Sequence, residues 1–231
     1  VRPAVATPAP VGPVQAFDGF LASRMAEPTS FQLLRRRSMD RFFELGLPTP
    51  RKEEWRFTNL STLTGIDLGP VGEPAAVPEP VAGRWALAPA LRLVFVDSRF
   101  ARRLSSPLNR LPPGLTVTSL VHALERHPAR VEAHLARAAQ LDGHPFVALN
   151  TAFHPDGAFV ELAPGTVLEA PVHLLFLSTS SAFERSVFPR TLVVAGEGSQ
   201  GSVFETYVGE VGRSLTCPVT ELVLGAGAVL E

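Results

Sequence analysis

The chain has 231 residues with 21 basic and 22 acidic side chains, a net charge of −1. It lacks the basic excess with which nucleic-acid binders neutralise phosphate. Hydrophobic residues make up 45% and mean hydropathy is +0.17, enough for a substantial core in one large or two modest domains. A single cysteine, Cys217, excludes both a disulfide framework and a multi-thiolate metal site within one chain. No apolar run approaches the roughly 20 residues of a membrane span. The first residues show no basic stretch followed by an apolar one, so no signal peptide is expected. The expected location is cytoplasmic, with neither membrane nor nucleic acid as partner.

Residues 1–13 are rich in proline, alanine and valine. Pro3, Pro8, Pro10 and Pro13 oppose a helix, and a disordered tail is expected. Residues 14–66 read as a helical region. Phe17, Phe20, Leu21 and Met25 recur at helical spacing until Pro28 stops them. Thr29 or Ser30 can cap a second helix running to Leu45, with Gly46 just past its end. The Arg35-Arg36-Arg37 run reads as a solvated helix face, since adjacent helical positions point in different directions. Thr49-Pro50 reads as the start of a short packed helix holding Arg51, Glu53 and Trp55. A binding site at those three is the functional alternative.

Residues 67–90 form a spacer with five prolines. Residues 91–145 mix strands and helices. Leu91 to Val96 is a compact apolar strand ending at Asp97-Ser98, and Thr116 to Ser119 closes another. Two short helices follow between Ser119 and Ala139, split at Pro128. From 146 to 231 the pattern becomes β. Within Phe146–Gly165, the turn signals Asp156-Gly157 and Pro164-Gly165 predict strand, turn, strand. The histidines His122, His127, His134, His144, His154 and His173 show no metal-binding spacing. His173 sits in an apolar run, as a solvent-facing or satisfied half-buried ring.

The last third repeats itself. Thr166-Val-Leu-Glu169, Ser202-Val-Phe-Glu205 and Ala228-Val-Leu-Glu231 share one pattern, each after a glycine turn. Recurrence at a few tens of residues predicts stacked rungs, because one rung cannot bury its inner face alone. Val167, Val203 and Val229 would share one interior. A β-sandwich or jelly roll is the alternative. Glu169, Glu205 and Glu231 could stack as an acidic row, which would suit a polysaccharide-active β-helix enzyme. The chain ends inside a rung, near Val229 and Leu230. A bare edge there favours self-association.

The ordered pieces Leu149-Asn-Thr-Ala-Phe153, Asp156-Gly157, Ala163-Pro-Gly165, Leu168-Glu-Ala-Pro-Val-His-Leu-Leu175, Pro189-Arg190, Gly196-Glu-Gly-Ser-Gln200 and Thr220-Glu221 resemble the SufB/SufD family. So does the upstream set Leu47-Pro48, Arg51, Glu54-Trp55 and Thr58. The wording is closer to the SufD branch. The resemblance spans about Phe42 to Glu231. It implies an α+β, mainly β fold: an N-terminal helical region, then the first, incomplete turns of a right-handed parallel β-helix. It also implies a non-enzymatic scaffold subunit for iron–sulfur cluster assembly, partnered by SufB-like and SufC-like subunits. The cluster would belong to the assembled complex, with no cofactor on this chain alone. The family's C-terminal helical region, with its SufC-docking surface, has no counterpart here, and a truncated chain is expected. Cys217 stands where family members commonly carry asparagine. A buried small hydrophobe is the expected role, and a cluster ligand the alternative. A purely structural interaction module remains the third functional reading.

Overall fold

Successive stretches of the chain return to lie parallel beside one another, and helices cover part of the result. The computed structural model describes residues 12–209 and 212–231. The helices are α1 (Gly12–Ala22), α2 (Thr29–Leu45), α3 (Glu79–Gly83), α4 (Leu120–Arg126), α5 (Pro128–Glu132) and α6 (Pro145–Phe153). The strands are β1 (Leu91–Val96), β2 (Arg99–Phe100), β3 (Leu115–Ser119), β4 (Ala158–Leu162), β5 (Val172–Ser178) and β6 (Ser186–Val187), followed by β7 (Arg190–Ala195), β8 (Gln200–Gly201), β9 (Val203–Gly209), β10 (Leu215–Thr216), β11 (Val219–Leu224) and β12 (Val229–Leu230).

The order β2-β1-β5-β9 makes one sheet and β11-β7-β4-β3 a second, with short pairs β10-β6 and β12-β8 between them in sequence. Every pairing among strands after Gly157 is parallel, as the repeat predicts. Ala158 faces Thr191, which faces Thr220; Val172 faces Val203. Among the described residues only β2 and β3, from earlier in the chain, pair antiparallel. The fold is therefore mixed α/β, with parallel and mixed sheets.

One core lies between the two large sheets and includes Leu93, Val160, Leu162, Leu174 and Val193. Its strands stack like on like. Phe95 faces Phe176 and Phe176 faces Tyr207, with ring centroids 4.9 and 5.1 Å apart and planes nearly parallel. Parallel in-register strands bring equivalent side chains together, which is why an aromatic row forms. A second core sits on the helical side. Phe17 and Phe20 meet Phe153 edge-on, while Phe188 stacks on it at 5.4 Å.

The structure revises several expectations. Residues 1–11 of the expected tail lie outside the described residues, and α1 already begins at Gly12. A proline fits there because the first helical turn leaves its N–H groups unbonded. The Thr49-Pro50 helix reduces to one 3₁₀ turn, Glu53–Trp55. It has no buried residue, and so short a helix without a buried face does not hold. The spacer is packed, not free. Leu68, Val71 and Ala82 are buried, and Pro70 bridges to Ser186.

The largest revision concerns Phe146–Phe153, which is helix and not strand. Pro145 starts it, and Ala148 to Phe153 are all buried. A helix buried over this much of its length, its Asn150 and Thr151 included, has no solvated polar stripe to reveal its period. Asp156-Gly157 is consequently a helix-to-strand corner. Gly157 leaves no room for a Cβ, because the Arg190 carbonyl and Leu120 press against it.

The repeat also has another register. Val167 and Val229 share a column through Gln200 and are 61% and 54% exposed, while Val203 lies opposite Val172. Leu168, Val203 and Leu230 are the residues of that pattern that pack on the core, so Val203 alone of the three valines points inward as expected. Pattern matching aligned Ser202–Glu205 with the wrong piece of the preceding turn.

Candidate functional site

Two opposite charges are buried together where α6 meets β7 and β11. Arg190 opens β7, and the pleat puts it on the same face as Leu192, which packs towards the helices. Glu221 of β11 stands opposite Leu192, hence on that face too. The Arg190 Nη2 donates to Glu221 Oε1, and both side chains are fully buried. Nη1 donates to Asn150 Oδ1 and Thr151 Oγ1 of α6, each at 3.0 Å. The Asn150 amide donates in turn to the carbonyls of Pro189 (2.8 Å) and Cys217 (2.7 Å).

Glu221 does more than neutralise Arg190. Its carboxylate accepts the backbone N–H groups of Ala136, Ala138 and Ala139 at 2.8–3.1 Å. Ala136 has φ +58°, a strained conformation for alanine, and the carboxylate holds it there. Burial lowers the pKa of Arg190, and the adjacent Glu221 opposes that shift. One network thus ties α6, two adjacent parallel strands and the segment after α5.

A second joint faces it across α6. Arg35 is buried, against the expectation of a solvated arginine face; Arg36 and Arg37 are the exposed pair. Arg35 forms two bonds to Glu27 at 2.7 and 2.9 Å and donates to the Ala152 carbonyl at 3.1 Å. His154 follows α6, fully enclosed. Its Nδ1 donates to the Asn150 carbonyl at 3.1 Å, and burial beside two arginines holds it neutral, well below the usual imidazole range.

Asp156 closes the corner. It accepts from Val121 N at 3.1 Å, Gly157 N at 2.8 Å and Phe100 N at 3.4 Å. Burial raises its pKa from 3.8 to about 6, with those three bonds opposing. Between these values the folded chain holds more protons than the unfolded one, so stability falls as pH rises from about 4 to 6. His154 acts in the opposite direction over an overlapping range, because the unfolded chain protonates it first. The Asp156 contribution is therefore read as a difference. Relative to Asp156→Asn, the wild type should lose about 2 kcal/mol between pH 4 and pH 6.5. Urea unfolding of both proteins across that range checks it, and a constant difference would count against the buried carboxyl.

Cys217 lies 5% exposed with its thiol donating to the Phe146 carbonyl at 3.4 Å. Burial pushes its pKa up to about 12. The reactive and metal-binding form is the thiolate. Native protein should react with a thiol reagent at least about a hundredfold more slowly than urea-unfolded protein at pH 8. Equal rates would show an open thiol.

The other residues singled out from sequence do not gather. Arg51 and Glu53 are exposed, and Trp55 packs on Phe146 with centroids 5.4 Å apart. His173 is buried, accepting from Leu87 N at 3.4 Å through Nδ1 and bonding Thr206 Oγ1 at 2.9 Å through Nε2. Glu169, Glu205 and Glu231 form no row. Glu231 reaches Ser202, whereas Glu205 lies opposite Leu174 and takes bonds from Thr220 and Tyr207. The acidic pair that a sugar-cleaving reading relied on is thereby removed. Among the described residues, no three of His, Cys, Asp and Glu come together as a metal-binding group. No helix among them is long and apolar enough to cross a membrane.

The strands β9, β10, β11 and β12 each stand at one edge of their sheets. Leu222 and Leu224 face the same side as the core residues Val193 and Ala195, yet they are 49% and 51% exposed. On β9, Tyr207 is 39% exposed on the side of Phe176, whereas Phe204, 44% exposed, lies on the opposite face of the strand.

The Arg190 joint was invisible to site-seeking motifs. Its signal was a charge placed inside an apolar strand, Arg190 before Thr-Leu-Val-Val-Ala and Glu221 between Thr220 and Leu222. Three pieces of the family resemblance, around Asn150, Arg190 and Glu221, meet in this one network.

The fold and its buried joints define a mixed α/β protein in which parallel strands are fastened to a helical layer by charge. Residues 22–174 match the family described as the SufBD protein N-terminal region, and the chain belongs to the SufBD family. It is 34% identical over 75% of its length to the iron–sulfur cluster assembly SufBD family protein slr0076 of Synechocystis, covering 38% of that protein. It is 31% identical over 51% of its length to the chloroplastic relative ABCI8 of Arabidopsis thaliana, covering 21% of it. For ABCI9 of the same plant the figures are 28%, 62% and 30%. The chain thus spans less than two fifths of the length of these relatives.

Proposed function

We propose that this chain is the N-terminal part of a SufD-like scaffold subunit for iron–sulfur cluster assembly, acting without catalysis of its own. Its parallel strands are the first turns of a right-handed β-helix, and its setting is the cytoplasm. The observation that carries this reading is the meeting of Asn150, Arg190 and Glu221 in one buried joint. Residues scattered over some seventy positions of the resemblance serve to fasten the strand stack to its helices. Relatives named as iron–sulfur assembly proteins supply the functional direction. The partners are a SufB-like subunit, which meets the strand stack, and a SufC-like ATPase. The cluster is cargo of the assembled complex. A buried, protonated Cys217 suits a packing role and not a ligand role.

Disrupting the gene in its own organism tests the reading. Activities of iron–sulfur enzymes should fall under iron limitation and return when the gene is restored. Unchanged activities, in cells shown to lack the protein, would overturn it.

A further inference from the structure

We infer that the groove between β3 and the segment 100–109 is a docking site for an extended acidic peptide, which would add a strand to the free edge of β3. This site is independent of the Arg190 joint and of the edges formed by β9 to β12.

The first support is the hydrogen-bond parity of β3. It is the last strand of its sheet and pairs only with β4. Ala163 N donates to the Gly114 carbonyl at 2.8 Å, and Leu120 N to the Gly157 carbonyl at 2.7 Å. These two bonds bracket the ladder. In antiparallel pairing the bonded residues alternate, so Thr116 and Thr118 turn their backbone groups to β4. Leu115, Val117 and Ser119 then turn theirs the other way. Leu115 N is used by Pro112 O at 3.1 Å. Among the described residues nothing bonds to the N–H of Val117 or Ser119, although these residues are 2% and 4% exposed. An edge strand whose backbone groups lack partners is a ready template for a further strand.

The second support is a space beside that edge. A groove of about 900 Å³ runs between β3 with the start of α4 on one side and the segment from Phe100 to Asn109 on the other. An extended strand is the shape that matches a row of alternating backbone donors and acceptors.

The third support is charge. Arg102, Arg126, His122 and His127 line the groove, with Glu125 its single acid. Among the described residues Arg102 and Arg126 have no ion-pair partner, and the one ion-pair partner of Glu125 is His122 at 3.8 Å. An occupant bearing several carboxylates completes both the backbone row and the cationic rim.

The test uses the 231-residue chain and a fluorescent peptide alternating glutamate with valine. Three comparison probes go beside it: the same peptide with lysine for glutamate, one with proline for valine, and a single-stranded oligonucleotide. Anisotropy should show binding of the first peptide only. The Arg102→Glu, Arg126→Glu double variant alters two exposed side chains and should keep its unfolding midpoint while weakening binding about tenfold or more. Amide exchange at Val117 and Ser119 should slow on binding. Binding that survives the charge reversal, or that the proline peptide matches, would overturn the proposal, since charge alone would then explain it. Preference for the oligonucleotide, or no binding, would overturn it equally.

Discussion

Replacing Glu221 by alanine is expected to destabilise the protein by about 3–5 kcal/mol, because it leaves the Arg190 guanidinium buried without its counter-charge. The loss has a second component. The N–H groups of Ala136, Ala138 and Ala139 lose their common acceptor, and the strained Ala136 backbone loses its anchor. Glu221→Gln should cost less, since an amide oxygen can keep some of those bonds. Combining Glu221→Gln with Arg190→Met should cost less than the two changes added, because no unpaired charge remains. Denaturant unfolding of the four proteins measures the coupling. A loss below about 1 kcal/mol for Glu221→Ala would mean that the pair is open to water.

Phe153→Ala should be of similar size, about 3–5 kcal/mol. Its ring is fully buried at the end of α6, between Phe17 and Phe20 of α1 and Phe188 ahead of β7. Elements from three parts of the chain converge there, so no single neighbour can move in to fill the space. The lost contacts join α1 to α6 and α6 to the strand stack. Limited proteolysis should therefore show α1 released before β5 and β7 are cut, alongside the fall in thermal midpoint. A shift of only a degree or two would indicate that the site collapses around the missing ring.

Much of the strand architecture was legible because its signals are local. Glycine turns between short apolar runs predicted parallel return after Gly157, and the pairing of β4, β7 and β11 agrees. Pro128 separated two short helices at the expected place. The register was not legible. Small–Val–apolar–Glu is a common enough string that Ser202–Glu205 matched by composition, while backbone pairing set a different alignment. Helix α6 escaped because burial on every side removes the polar stripe that reveals helical period. Arg35 escaped for a related reason. A run of three arginines looks uniform in sequence, but a helix sends each one about 100° from the last, and only Arg35 meets Glu27 and α6. The candidate site lay furthest out of reach. Asn150, Arg190 and Glu221 are ordinary residues in sequence, and only the stacking of β7 beside β11 makes them neighbours.

The most direct test of the scaffold reading is co-expression of this chain with the SufB-like and SufC-like subunits of the same organism, followed by size-exclusion chromatography with mass determination. Co-elution of the chain with the SufB-like subunit at a defined ratio, lost when Leu222 is changed to lysine on β11, is the predicted result. Separate elution of the chain and a SufB-like subunit that still binds its own ATPase partner would contradict it.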